Sequence, residues 1–270
     1  MKVTIVTVTF NCKNVIEETL LSVINQSYKD IEYIIIDGGS NDGTLEIINK
    51  YSSQISKIVS EPDKGIFDAM NKSLQYCNGE YVIFINAGDK FVNTDVLTTL
   101  FKDKVYTADL LYGDTYTQSE FGYKLIKANA IYSQKHNSKD LVFKSQGICH
   151  QSLFTKLRIL KNIGFDLNYP IGADYDTTNK VFQKGNHELY YVGLPVSVFD
   201  DRFGGASHYK IITMYKERFQ MFNYKPTFID YIKIYKMHFI VCLKQILENC
   251  FPRIIKEYRK KKYVTDYGKN

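Results

Sequence analysis

The sequence predicts an α/β fold, a doubly wound and mostly parallel sheet flanked by helices, and three observations carry that prediction. Strand-length apolar runs, rich in β-branched residues, recur at Val3–Phe10, Ile31–Ile36 and Tyr81–Asp89. Between them lie stretches whose apolar residues fall at helical spacing, as the crossovers joining parallel strands must. Each run stops abruptly in small and polar residues, and in an open parallel sheet ligands bind beyond those carboxyl ends.

The first run, Val3–Phe10, reads as a strand buried on both faces, because it is apolar without alternation. Asn14–Gln26 follows as a crossover helix with Val15, Ile16, Leu20, Val23 and Ile24 on one side. Ile31–Ile36 is the second strand; it ends in Asp37-Gly38-Gly39-Ser40-Asn41-Asp42-Gly43, a turn whose Ser40 to Asp42 can cap the next helix, Thr44–Tyr51. Ile55–Ser60 is a short third strand. The charged loop after it, Glu61-Pro62-Asp63-Lys64-Gly65, runs into a helix ending near Asn78-Gly79. The run from Tyr81 then delivers Asp89 to the sheet edge; the plainer reading of Asn86, Gly88 and Asp89 is a turn. No GxGxxG turn and no GxxxxGK[ST] loop occurs, so neither a dinucleotide cradle nor a P-loop is indicated.

Composition bounds the functional classes. The 270 residues are 44% hydrophobic and 24% charged, enough for one sizeable domain with an appendage. Cys12, Cys77, Cys149, Cys242 and Cys250 are odd in number and lack CxxC spacing, which argues against a disulfide framework or zinc knuckle and for a reducing, cytoplasmic compartment. The N-terminal run reads as a strand rather than a signal peptide. Charge divides the chain: residues 1–208 hold 21 Lys+Arg against 24 Asp+Glu, a net −3, and residues 209–270 hold 14 against 5, a net +9. The expected boundary therefore falls near Gly204–His208.

The motifs VTVTFN, IIIDGGSNDGT, SEPDKGIFDAMNK and GEYVIFINAGD, in this order and spacing, resemble the inverting family 2 glycosyltransferases of GT-A fold, in particular the bacterial branch that builds exopolysaccharide, capsule or O-antigen. The resemblance spans roughly residues 1–208. It implies a nucleotide-sugar donor, more readily a UDP-sugar than GDP or dTDP, held by Thr9 and Asn11 after the first strand, Asp37 after the second, and Asp63 and Lys64 after the third, with Asn86 beside them. Carboxylates suit that place because they accept hydrogen bonds from a base or ribose; for Asp37 a turn-capping role is the alternative. Asp89 is the implied ligand of Mn²⁺ or Mg²⁺, a hard cation that wants oxygen donors. The family's commoner Asp-x-Asp-Asp is reduced here to Asn86-Ala87-Gly88-Asp89, which keeps one carboxylate.

Downstream, Leu110–Gly113 reads as a strand ending at Asp114, in the region where the resemblance puts acceptor contacts, and residues 115–145 as a loop or short hairpin. Ile148–Ser152 and Gly164–Asp166 resemble the family's segment before the catalytic helix, which makes His150 an acceptor-side candidate. The helix from Ile171 to about Gln183 then carries Asp174, the implied catalytic base; Asp176, two residues on, points to another face and reads as a favourable charge at the helix N-terminus. Tyr190–Phe199 is a last strand, and its glycine-rich exit at Gly204-Gly205 leads to His208, a further metal candidate. In the tail, Asp230, Lys233, Lys236 and Lys244 interrupt the apolar stretch Phe228–Leu247, which excludes a membrane span and fits amphipathic helices on anionic lipid, finished by Arg259-Lys260-Lys261-Lys262. The expectation is a cytoplasmic, peripherally membrane-bound transferase acting on a lipid-linked glycan. A non-catalytic sugar-nucleotide or assembly module is the alternative; nucleic-acid binding through the tail is disfavoured, because large aliphatics interleave its basic residues.

Overall fold

The computed structural model describes residues 1–128, 138–143, 148–183, 187–202 and 210–251. The elements of the amino-terminal half are β1 (Val3–Thr9), α1 (Ile16–Ile24), β2 (Ile31–Asp37), α2 (Thr44–Lys50), β3 (Lys57–Ser60), α3 (Ile66–Ser73), β4 (Tyr81–Phe84), β5 (Lys90–Phe91) and α4 (Val96–Phe101). They are followed by β6 (Leu110–Ser119), β7 (Gly122–Ile126), α5 (Ser138–Phe143), β8 (Leu153–Lys156), α6 (Leu157–Ile163), α7 (Ala173–Gln183), β9 (Leu189–Asp200), α8 (Ile211–Met221) and α9 (Phe228–Cys250). The expected boundary at Gly204–His208, the metal candidate His208 and the basic run Arg259–Lys262 lie outside the described residues.

β3, β2, β1 and β4 lie side by side and parallel, in register so that Thr9 and Asp37 finish level. Side chains alternate between two apolar layers. Val3, Ile5, Tyr33, Ile35, Tyr81 and Ile83 pack under α1, while Val6, Val8, Ile34, Ile36, Val82 and Phe84 pack under α3. Burial on both faces is why these strands lack polar alternation, and each buried large apolar side chain contributes about 1.5–3 kcal/mol. Ahead of α2, Asp42 Oδ1 accepts the Thr44 N–H at 3.0 Å in an Asx turn, while the N-cap position itself is Gly43 and carries no side-chain cap, so the expected cap by Ser40 to Asp42 is not made.

The sheet continues from β4 through β8, β6 and β9 to β5, with β7 paired to β6. β8 runs antiparallel to both neighbours, whereas β6 and β9 are parallel to each other. The segment after Asp114 takes the hairpin form of the loop-or-hairpin expectation, through β6 and β7. One expectation is corrected here. Asp114 does not end a strand but sits inside β6, because Thr115 to Gln118 keep pairing with both β7 and β9. β8 itself went unread from the sequence, since a four-residue apolar segment carries little periodicity.

At the carboxyl end, α8 buries Ile211, Tyr215 and Phe219 against Val142 of α5 and Ile234 of α9. α9 starts at a capping box: Asp230 accepts the Thr227 N–H at 2.9 Å and its own N–H reaches the Thr227 hydroxyl. Asp230 is thus a buried cap rather than a charge on the helix surface. No helix among the described residues is long and apolar enough to cross a membrane.

Candidate active site

The carboxyl ends of β1, β2 and β3 carry one half of the site. Asn11 adopts a left-handed backbone, φ 51°, which an Asn tolerates better than most residues. From there its Oδ1 accepts the Asn41 N–H at 3.0 Å while its own N–H donates to Ser40 Oγ at 2.8 Å, lacing the loop after β1 to the loop after β2. Asp37 is fully buried, and its carboxylate accepts from the Gly39 and Ser40 N–H groups and from Ser60 Oγ at 2.6 Å. It holds the turn together, which is the alternative role the sequence left open. A Cβ at Gly38 would run into the Asp63 carboxylate, so glycine lets that side chain lie against the turn after β2. Asp63 also accepts the Gly65 N–H at 2.8 Å, and Lys64 stands exposed beside it. Thr9 is buried at the end of β1, and its hydroxyl has no hydrogen-bond partner among the described residues.

Past β4 the chain makes a tight turn: the Asp89 N–H donates to the Asn86 carbonyl at 2.9 Å, and Gly88 takes φ 101°. The turn reading therefore holds, and this turn is what aims Asp89 inward. Asp89 is 4% exposed. Its Oδ2 accepts from Gln151 Nε2 at 2.9 Å and its Oδ1 from the Asp200 N–H at 3.0 Å. Burial pushes its carboxyl up to about 6, against the pull of those two donors and of His150; Asp200 adds to the rise. Arg202 neutralises Asp200 through a two-pronged ion pair at 2.8 and 3.0 Å.

His150 joins this turn to α7. Its Nε2 lies 3.0 Å from Asn86 Nδ2, and its Nδ1 lies 3.1 Å from Asp174 Oδ2. Burial alone would push the Asp174 carboxyl up and the imidazole down. Their hydrogen bond and opposite charges prevail, so Asp174 is held below the usual carboxylate range and His150 above the usual imidazole value. Behind the pair lies a cavity of about 20 Å³ walled by Val82, Phe84, Leu153, Phe165 and Val181, room for a water but not for a sugar.

Asp176 points away, as its spacing from Asp174 requires, and pairs with Lys180 at 2.6 Å. Asp114 is not brought to the cluster: its carboxylate accepts from Tyr191 Oη at 2.7 Å and the Ala128 N–H at 2.8 Å, pinning the hairpin to β9. Gln151, Asp200 and Arg202 were missed. Asp200 repeats the pattern that marked Asp89, a carboxylate at the end of an apolar strand, and so left a signal; Gln151 left none beyond lying next to His150.

This geometry matches a known family. The family model described as Glycosyl transferase family 2 fits residues 4–164. The chain belongs to glycosyl transferase family 2. The match includes Thr9, Asp37, Asp89 and His150 but stops before α7, so Asp174 rests on the geometry given above. Among relatives of this family 2 glycosyltransferase, the PGL/p-HBAD biosynthesis glycosyltransferase of Mycobacterium bovis (strain BCG / Pasteur 1173P2) is 29% identical over 206 residues, covering 74% of this chain and 77% of that one. The structure of S. aureus TarS 1-349 in complex with UDP-GlcNAc superposes with a TM-score of 0.61 at 18% identity, over 83% of this chain and 71% of that one. A longer TarS chain is matched over only 39% of its length. Glucosyl-3-phosphoglycerate synthase from Mycobacterium tuberculosis, in complex with Mn²⁺, UDP and phosphoglyceric acid, superposes with a TM-score of 0.54 at 16% identity, over 84% of this chain and 80% of that one. The fold is accordingly GT-A: a mixed α/β, mostly parallel sheet with flanking helices.

Proposed function

We propose that this glycosyltransferase transfers a sugar, with inversion, from a UDP-sugar to a lipid-linked glycan in bacterial surface-glycan assembly. The observation that carries the reading is the line Asn86–His150–Asp174, which ties the turn bearing Asp89 to a carboxylate on α7. The donor reading draws on the UDP-GlcNAc and UDP complexes of the two solved structures named above.

Asp174 is the base. Held anionic at neutral pH, it takes the proton of the acceptor hydroxyl as that oxygen attacks the anomeric carbon; the bond from that carbon to the diphosphate oxygen breaks, and the nucleoside diphosphate leaves with the bonding pair. Attack opposite the leaving group inverts the anomeric centre. His150 keeps the Asp174 carboxylate aimed. The donor nucleotide lies against the ends of β1 to β3, with the unpartnered Thr9 hydroxyl, Asn11 and Asp63 along its path, the turn held by Asp37 beneath it and Lys64 at its rim.

The residues fit a divalent cation. Asp89 is a buried carboxylate, and on the same turn the buried Asn86 Oδ1 has no hydrogen-bond partner among the described residues, a pair of hard oxygen donors of the kind Mn²⁺ and Mg²⁺ take. Asp89 and Asn86 would hold the ion, which neutralises charge on the departing diphosphate when bound.

We read residues 1–208 as the catalytic unit and 209–270 as an extension that brings it to the cytoplasmic face of an anionic membrane. Supporting this, Phe228, Ile232, Tyr235, Phe239, Leu243 and Ile246 form one exposed apolar stripe along α9, flanked by exposed Lys233, Lys236 and Lys244. The five cysteines are all free, consistent with a reducing compartment.

The test is purified protein with Mn²⁺ and a panel of nucleotide sugars, read by mass spectrometry for nucleoside diphosphate release and by NMR for the product's anomeric configuration. Release from one donor with an inverted product is expected. Binding of a donor without turnover, in the presence of lipid-linked acceptors, would favour the non-catalytic module, and a retained configuration would refute the mechanism.

A further inference from the structure

The first turn of α7, which carries Asp174, is gripped from outside by α8. Glu217 of α8 is 5% exposed. Its Oε2 accepts the Gly172 N–H at 2.9 Å, and both its oxygens lie 3.2 Å from the Ile171 nitrogen. Helix N-termini leave their first N–H groups without partners inside the helix and carry positive potential, so a buried carboxylate there is doubly suited. Burial pushes the Glu217 carboxyl up, against the pull of those two N–H donors. Gly172 lets α8 come this close: a Cβ there would meet Met221 Cε at 3.0 Å and Glu217 Oε2 at 3.3 Å. One residue along α8, the Arg218 guanidinium lies 4.5 Å over the Tyr175 ring and donates to the Val142 carbonyl at 3.0 Å. The Tyr175 hydroxyl in turn donates to the Leu141 carbonyl. Asp174 therefore sits between residues that α8 fixes, Ile171 and Gly172 before it and Tyr175 after it, through contacts made 43 or more residues away along the chain.

We propose that Glu217 is a positioning residue for Asp174, so that the carboxy-terminal extension is part of the catalytic machinery and sets the orientation of the base as well as any surface attachment. The inference rests on the reading of Asp174 as base. Glu217 touches no reacting atom; it acts by holding the turn that aims the Asp174 carboxylate at His150. Without it, the two N–H groups lose their acceptor and the turn loosens, and a misplacement of the order of 1 Å at a catalytic group is enough to cost one to two decades in rate.

The experiment compares Glu217→Gln and Glu217→Ala with the wild-type full chain, measuring kcat and donor KM per folded molecule, and amide exchange of peptides spanning residues 170–177. Gln keeps one accepting oxygen and the same shape. The expected result is a kcat lowered about tenfold in Glu217→Ala and less in Glu217→Gln, at nearly unchanged donor KM, with faster exchange at 171–176. Wild-type kcat per folded molecule in both variants would overturn the proposal, as would a loss that tracks only the unfolded fraction. Should Glu217→Ala not fold, Glu217→Gln decides alone: lowered kcat at unchanged KM supports the proposal, and wild-type kcat overturns it. If the wild type transfers no sugar from any donor, the functional reading fails and the catalytic part of this inference with it; the exchange data then show separately whether Glu217 holds the turn.

Discussion

Asp89→Asn is expected to make the metal-free protein more stable while removing its metal-dependent donor binding. The magnitude follows from the burial of Asp89. Its carboxyl stands at about 6 against an ordinary 3.8, and about 1.4 kcal/mol per pKa unit makes the charged form cost the fold about 3 kcal/mol at neutral pH. Asparagine removes that cost and keeps the Asp200 N–H satisfied. Its new NH₂ faces the Gln151 amide, whose own Oε1 is buried without a partner among the described residues, so a half-turn of that amide restores the hydrogen bond. The value of about 6 already contains the two hydrogen bonds to the carboxylate, and allowing about 1 kcal/mol for refitting the Gln151 amide leaves a gain of about 2 kcal/mol. For a chain of this size that is a rise in Tm of about 5 °C at pH 7.5. The pH dependence has a definite sign. A carboxyl with a raised folded value binds its proton more tightly in the native state, so its penalty is present in full above about 6 and vanishes as pH falls toward 4. The advantage of the variant should shrink over that window. Thermal melts in EDTA from pH 4 to 8, with UDP titrations in Mn²⁺ alongside, are the assay. A variant less stable than wild type at pH 7.5, or a gain that does not change with pH, would refute the argument, and unchanged Mn²⁺-dependent UDP affinity would refute the metal assignment.

Asp174→Asn should lower kcat by about 10² to 10⁴ with donor affinity unchanged, as loss of a general base does, whereas Asp176→Asn, which removes only the pairing with Lys180, should retain most activity. The reverse pattern in steady-state kinetics would move the base to Asp176. Charge reversal of Lys233, Lys236 and Lys244 to Glu should release the full chain from anionic vesicles in co-sedimentation, since each basic residue near such a surface contributes about 1 kcal/mol; unchanged vesicle binding would sink the membrane reading.

Much of the frame was legible because its signals are local. A strand covered on both faces must be apolar throughout, and a crossover helix must repeat its apolar residues every three or four positions, so β1, α1, β2 and the run into Asp89 could be read from short windows. Asp89, His150 and Asp174 were picked as candidates in the same way, the first as a carboxylate ending a strand and the others through ordered motifs, and the structure joins the turn of Asp89 to Asp174 through His150. The place of Asp114 in its strand was misread for a physical reason: nothing in Leu110–Gly113 announces that pairing with β7 and β9 will carry the strand on to Ser119.

The sequence by itself determined the type and order of the leading elements and which carboxylates end them, because burial of a strand face or helix stripe is written in the spacing of neighbours. Only the tertiary structure decided which polar groups meet. Asp89 is held by an N–H donor 111 residues away, and Asn86 meets His150 across 64. Glu217 lies between Lys216 and Arg218 in an ordinary amphipathic helix, where an acid reads as solvated, yet the packing of α8 on α7 buries it against the turn that leads into Asp174. Such partnerships depend on register, crossover and helix docking, and those are set by the whole core at once rather than by any window of the chain.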